Sequence, residues 1–123
     1  MTASAAGAVR QFFEAMQARD WDAAARALHP HVHVRWPATD ERFTGDAFLQ
    51  MQRAYPEGWS VDVVEVLSDG DRAAARVAVD HDGVRHWCHG TYRLEEGRIR
   101  RAVELWTAEG SAQPPPWRAR FTS

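Results

Sequence analysis

Three acidic-glycine pairs, Asp69-Gly70, Asp82-Gly83 and Glu96-Gly97, separate four strand-length segments in the second half of the chain. This pattern constrains the fold most. Asp-Gly and its relatives supply the positive φ that two-residue hairpins need. The segments near Trp59 to Leu67, Arg72 to His81, Val84 to Leu94 and Arg98 to Trp106 therefore read as an antiparallel meander. A sheet with one covered face buries alternate residues. His86, Cys88, Gly90, Tyr92 and Leu94 then face inward together, with His81 in phase with Val77 and Val79.

The first half reads as helical. Val9, Phe12, Phe13 and Met16 recur at helical spacing, opposite Arg10, Gln11, Glu14 and Gln17. Ser4 is a start signal, Arg19-Asp20 ends the run, and Asp20 caps a second helix. That helix carries Trp21, Ala24, Ala25 and Leu28 on one face and closes at His29-Pro30. His31 to Trp36 alternates as a strand with Val32, Val34 and Trp36 inward, stopped by Pro37. Thr44-Gly45-Asp46 opens a third helix with a cap hydroxyl and an early carboxylate. Phe48, Met51 and Tyr55 share a face of it, and Pro56 ends it. Helices first and strands last predict an α+β chain, not a βαβ one. The chain reads as one domain over residues 1–123. Residues 108–123 form an irregular arm that Trp117, after Pro114 to Pro116, could pin to the body or to a dimer partner.

Composition narrows the function classes. With 123 residues and a net charge of −2, the chain shows no basic bias toward nucleic acid or an anionic membrane. The lone Cys88 permits no internal disulfide, and no apolar run is long enough to span a bilayer. Met1 to Ser4 show no leader signature, which leaves the cytoplasm as the expected location. No glycine-rich phosphate loop appears, so no cofactor is expected. Six tryptophans are many for this length. Such rings go into a core, an interface or an aromatic-lined pocket.

Several stretches together resemble the SnoaL-like branch of the nuclear-transport-factor-2-like (ketosteroid isomerase-like) superfamily. They are Val9 to Trp21, Val34 to Pro37, Phe43 to Gly45 and Gly97 to Trp106, in that order. The resemblance implies a strongly curved antiparallel sheet wrapped on N-terminal helices, a cone with an apolar pocket. It implies a homodimer through the outer sheet face. It also implies several activities, among them polyketide cyclisation, steroid isomerisation, epoxide hydrolysis and dehydration, so it does not choose a function. Ketosteroid isomerase-like members would place their base, tyrosine donor and carboxyl partner at Trp36, Phe12 and near Gly90. None of those side chains can move a proton or hold an oxyanion, so steroid isomerisation is not expected. No Asp-Arg-Asp group for epoxide hydrolysis assembles on the inward faces.

On the last strand the family pattern puts Ala102, Glu104 and Trp106 inward and Arg101, Val103 and Leu105 outward. A carboxylate among aromatic rings is a candidate acid or base. Glu104 is therefore the first catalytic candidate, with His86 as its partner; equally, Glu104 could pair with an arginine or histidine and order the core. His81 is expected at a solvated rim and Cys88 as a buried small hydrophobe. Phe12, Phe13, Trp36, Tyr55, Trp59, Tyr92 and Trp106 are the expected pocket wall, with Phe48 among them or behind. The alternating His29, His31 and His33 point outward, and no metal site is expected. The expected partner is a small hydrophobic molecule. Either the chain is an acid–base enzyme acting on that molecule, or it is a ligand-binding or dimerising scaffold.

Overall fold

The computed structural model describes residues 4–123; Met1, Thr2 and Ala3 lie outside them, as does their reading as no leader. The elements run α1 (Ala5–Ala18), α2 (Trp21–Ala27), β1 (Leu28–Trp36), β2 (Glu41–Thr44), α3 (Asp46–Ala54), β3 (Trp59–Asp69), β4 (Arg72–His81), β5 (Val84–Glu95) and β6 (Arg98–Ala108). They build the expected α+β cone, a curved six-stranded sheet ordered β2-β1-β6-β5-β4-β3 with α1 across its inner face.

Local chemistry explains most boundaries. The Ser4 hydroxyl accepts from Gly7 N–H at 3.0 Å and starts α1. The face made by Val9, Phe12, Phe13 and Met16 is buried. Asp20 accepts from Ala23 N–H at 3.0 Å and starts α2. In two of the hairpin turns both central residues have positive φ: Asp82 (51°) with Gly83 (77°), and Glu96 (54°) with Gly97 (76°). These are the backbone angles that match the twist of the flanking strands.

Four expectations change. First, α2 does not reach Pro30. It stops at Ala27, and β1 runs through the proline. The β1–β6 pairing is parallel and irregular between Leu28 and His33. That gap accommodates a residue with no N–H to give. Ala25 is accordingly exposed, and Ala24 with Ala27 forms the buried face. Second, β2 is an addition to the expected order. It pairs with β1 from His33↔Thr44 to Trp36↔Glu41. Thr44 is thus held in a strand and cannot cap α3; Gly45, at φ 57°, holds that position without a side-chain cap. Third, the arm after Ala108 is not wholly irregular, since Pro116–Phe121 form a 3-10 helix. Fourth, Trp117 is 69% exposed and does not pin the arm to the body.

Candidate functional site

A cavity of about 600 Å³ opens between α1, the end of α3 and the inner face of the sheet. Helix α1 contributes Phe12, Phe13 and Met16. Trp36 comes from β1, and Tyr55 with Pro56 comes from the α3–β3 connection. The sheet adds Trp59, Val61, Val79, His81, His86, Glu104 and Trp106. Every expected wall aromatic is there except Tyr92. Tyr92 is buried behind the wall, and so is Phe48, stacked on Phe12 with centroids 6.1 Å apart. The arm with Trp117 takes no part in the lining.

Glu104 is the one buried charged residue among those described, at 2% exposure. Three strands meet around it. In the β1–β6 register Val34 lies beside Ala102, so Trp36 comes next to Glu104. The Trp36 indole Nε1–H donates to Glu104 Oε1 at 3.0 Å. Across the β5–β6 ladder Glu104 faces Gly90, and Tyr92 is the diagonal neighbour. The Tyr92 hydroxyl donates to Glu104 Oε2 at 2.6 Å. Burial pushes the Glu104 carboxyl above the ordinary carboxylate range, and hydrogen bonds from Tyr92, Trp36 and Cys88 pull it part of the way back. Burial first, then the charge of Glu104, drives the Tyr92 hydroxyl and the Cys88 thiol well above their ordinary values. Cys88 therefore stays a protonated thiol within the core.

Glu104 and His86 share the cavity wall but are not hydrogen-bonded to one another. Glu104 pairs with Gly90, and His86 pairs with Ala108. Those rows are four residue steps apart along the strand, roughly 13 Å. They can touch one ligand at two points but do not form a directly coupled pair. His81 is not the solvated rim residue expected. Its side chain is 16% exposed and lines the cavity beside Tyr55, with ring centroids 5.7 Å apart.

The end of α1 carries a latch that no periodicity shows. Arg19, in left-handed backbone at φ 57°, donates to both Glu57 oxygens at 3.0 and 2.8 Å and to the Trp59 carbonyl at 2.6 Å. Its guanidinium lies 3.2 Å from the Trp59 ring centroid. The Gln17 side chain accepts from Val61 N–H at 2.5 Å beside it. The end of α1 is thereby tied to the start of β3. The only sequence trace of this is an arginine where a helix must stop.

For a metal, the described residues offer one grouping: His29, Glu95 and Glu96, with ligand atoms within 4.8 Å of one another, at the surface and outside the cavity. Exposed acids gather this way without an ion.

The SnoaL-like domain pattern matches residues 9–102. The chain belongs to the SnoaL-like family. Among solved structures, a Kribbella flavida protein provisionally named a ketosteroid isomerase is 27% identical with a TM-score of 0.90; the match covers 100% of this chain and 92% of that one. A Sinorhizobium meliloti protein, provisionally named a polyketide cyclase, is 26% identical with a TM-score of 0.67, over 79% and 92% of the two chains. An LEH-like epoxide hydrolase of M. tuberculosis is 22% identical with a TM-score of 0.70, over 84% and 82%, and shows the fold alone. No curated protein matches. In this SnoaL-like chain, two of the three positions that lack the isomerase-like side chains serve Glu104 instead. Trp36 donates to it, and Gly90 leaves room for the Tyr92 ring that reaches it.

Proposed function

We propose that this SnoaL-like protein is an acid–base enzyme that acts on a hydrophobic small molecule held in the cavity, with Glu104 as the group that moves the proton. One observation carries the reading. Glu104 is buried in the wall of an apolar cavity, and its hydrogen-bond partners are neutral donors, Trp36, Tyr92 and the Cys88 thiol, with no arginine. An arginine would hold the carboxylate ionised. Neutral donors orient it and leave its affinity for a proton raised by desolvation, as general acid–base chemistry near neutral pH requires. Cyclisation, isomerisation, dehydration and hydrolysis all need such a group. Phe12, Phe13, Trp36, Tyr55, Trp59 and Trp106 would grip the substrate frame, and His86 would contact it farther along the wall.

A binding-only role has one observation in its favour: both Glu104 oxygens are already engaged. Deuterium exchange separates the two. Wild-type protein and Glu104→Gln are incubated in D2O with apolar ketones and phenols, and NMR follows loss of protons at the carbons next to the carbonyl or hydroxyl-bearing carbon. The enzyme reading expects at least one compound to exchange about 100-fold faster with wild type than with the variant. Equal exchange with binding retained would leave only the binding role.

The same proposal treats residues 1–123 as a single domain and pairs two copies through the outer sheet face, where Val103 and Leu105 are 40% and 50% exposed. It puts the protein in the cytoplasm, where the single thiol stays reduced.

A further inference from the structure

The outer face of the sheet carries a groove of its own, of about 630 Å³. Three arginines line it: Arg72 on β4, Arg93 on β5 and Arg101 on β6. Alternation along β6 puts Arg101 on the face opposite Glu104. The three form one straight row, since Arg72 is the direct cross-strand partner of Arg93, and Arg93 of Arg101. All three are exposed. Like charges directly opposite one another on neighbouring strands are destabilising.

Elsewhere on β4 and β5 the register gives an arginine an acid. Arg76 faces Glu65 and Arg85 faces Asp80, and both ion pairs close, at 3.5 and 2.8 Å. The row has no such partner. Among the described residues, no carboxylate lies within 4.0 Å of the guanidinium nitrogens of Arg72, Arg93 or Arg101. Asp69, the one acid lining the groove, stands opposite Arg72 but does not close on it. Toward β1 the positive charge continues, because His33 lies beside Arg101 and Arg35 pairs with Arg42.

Neighbouring strands are about 4.8 Å apart, so the row spans about 10 Å. A guanidinium takes two phosphate oxygens in a bidentate grip. A single phosphate meets part of this row, whereas a chain of phosphates runs along it. Such a chain turns the repulsion between the arginines into shared attraction.

We infer that the groove binds a small molecule carrying a chain of two or three phosphates, held by Arg72, Arg93 and Arg101. The site is separate from the Glu104 cavity and stands whether or not that cavity is catalytic.

Inorganic triphosphate, pyrophosphate and phosphate test it by calorimetric titration of the full chain at constant ionic strength. One triphosphate per chain is expected, bound about tenfold or more tightly than phosphate, with pyrophosphate between them. Arg93→Gln removes the central charge and should weaken triphosphate about tenfold or more. Arg10→Gln, on the exposed side of α1, removes the same charge elsewhere and should leave binding unchanged. Without ligand, Arg93→Gln should unfold at the same or a higher temperature than wild type, because it relieves two like-charge contacts. Arg72→Gln repeats the test at the end of the row, should the central variant not fold. Absence of triphosphate binding, equal affinity for all three anions, or equal losses in Arg10→Gln and the row variants overturns the inference. Row variants that are all less stable than wild type without ligand overturn it too, since the arginines would then serve the fold.

Discussion

A methyl group added at Gly90 would sit inside contact distance of the Tyr92 hydroxyl, and 2.6 and 2.7 Å from its ring atoms Cζ and Cε2. Gly90 is what lets Tyr92 lie back across its own strand and reach Glu104. Gly90→Ala should therefore displace that ring, break the 2.6 Å hydrogen bond and cost about 2 kcal/mol of stability. Chemical denaturation measures the loss, and an unchanged midpoint would show that the Tyr92 ring is not fixed there. The inward position of Glu104 was legible in the sequence through strand alternation and the family pattern. Its partners were not. Trp36 lies 68 residues away and Tyr92 12 residues away, and only the register of three strands brings them together. The same lack of register turned Gly90 into a missing functional residue on paper when it is a space in the fold. It also left His81 at an imagined rim.

At the scale of elements, what is encoded locally could be read: the caps at Ser4 and Asp20, the hairpin turns and the alternating strands. What depends on a distant partner could not. Strand β2 is short and takes its place from β1, and β1 extends through Pro30 because β6 pairs on both sides of it. The Arg19 latch is of this second kind. Its backbone conformation favours glycine, yet the side chain makes the hydrogen bonds to Glu57 and Trp59 that tie α1 to the start of β3. The two contributions separate by substitution. Arg19→Ala and Arg19→Gly both lose the latch, but glycine relieves the left-handed strain. Both variants should be less stable than wild type, with glycine retaining about 1 kcal/mol more than alanine. Thermal or denaturant unfolding of the pair measures this. Identical stabilities would mean that the backbone at residue 19 carries no strain.

Over the whole molecule, the parallel seam between β1 and β6 joins the N-terminal half to the meander and puts Trp36 on Glu104. The α+β class and the meander could be anticipated from residue order, but the seam could not, because nothing local says which strand edge β1 will choose. The outer face left by this closure exposes Val103 and Leu105. If two copies pair there, Leu105→Glu should shift a dimer toward monomer in sedimentation velocity without altering the fold by circular dichroism. A wild-type chain that sediments as a monomer at all concentrations would end the dimer proposal. Proton transfer at the cavity wall requires Glu104 to be a desolvated, exchangeable carboxyl. The most direct measurement is a pH titration of the Glu104 side-chain carbon by 13C NMR. The midpoint is expected above the ordinary 4.5, raised by burial. Because the fold then prefers the protonated form, this group's contribution to stability is complete below 4.5 and is lost as pH rises through the folded value. A midpoint at or below 4.5 would make Glu104 an ordinary ionised residue that orders the core, and would rule it out as the group that moves the proton.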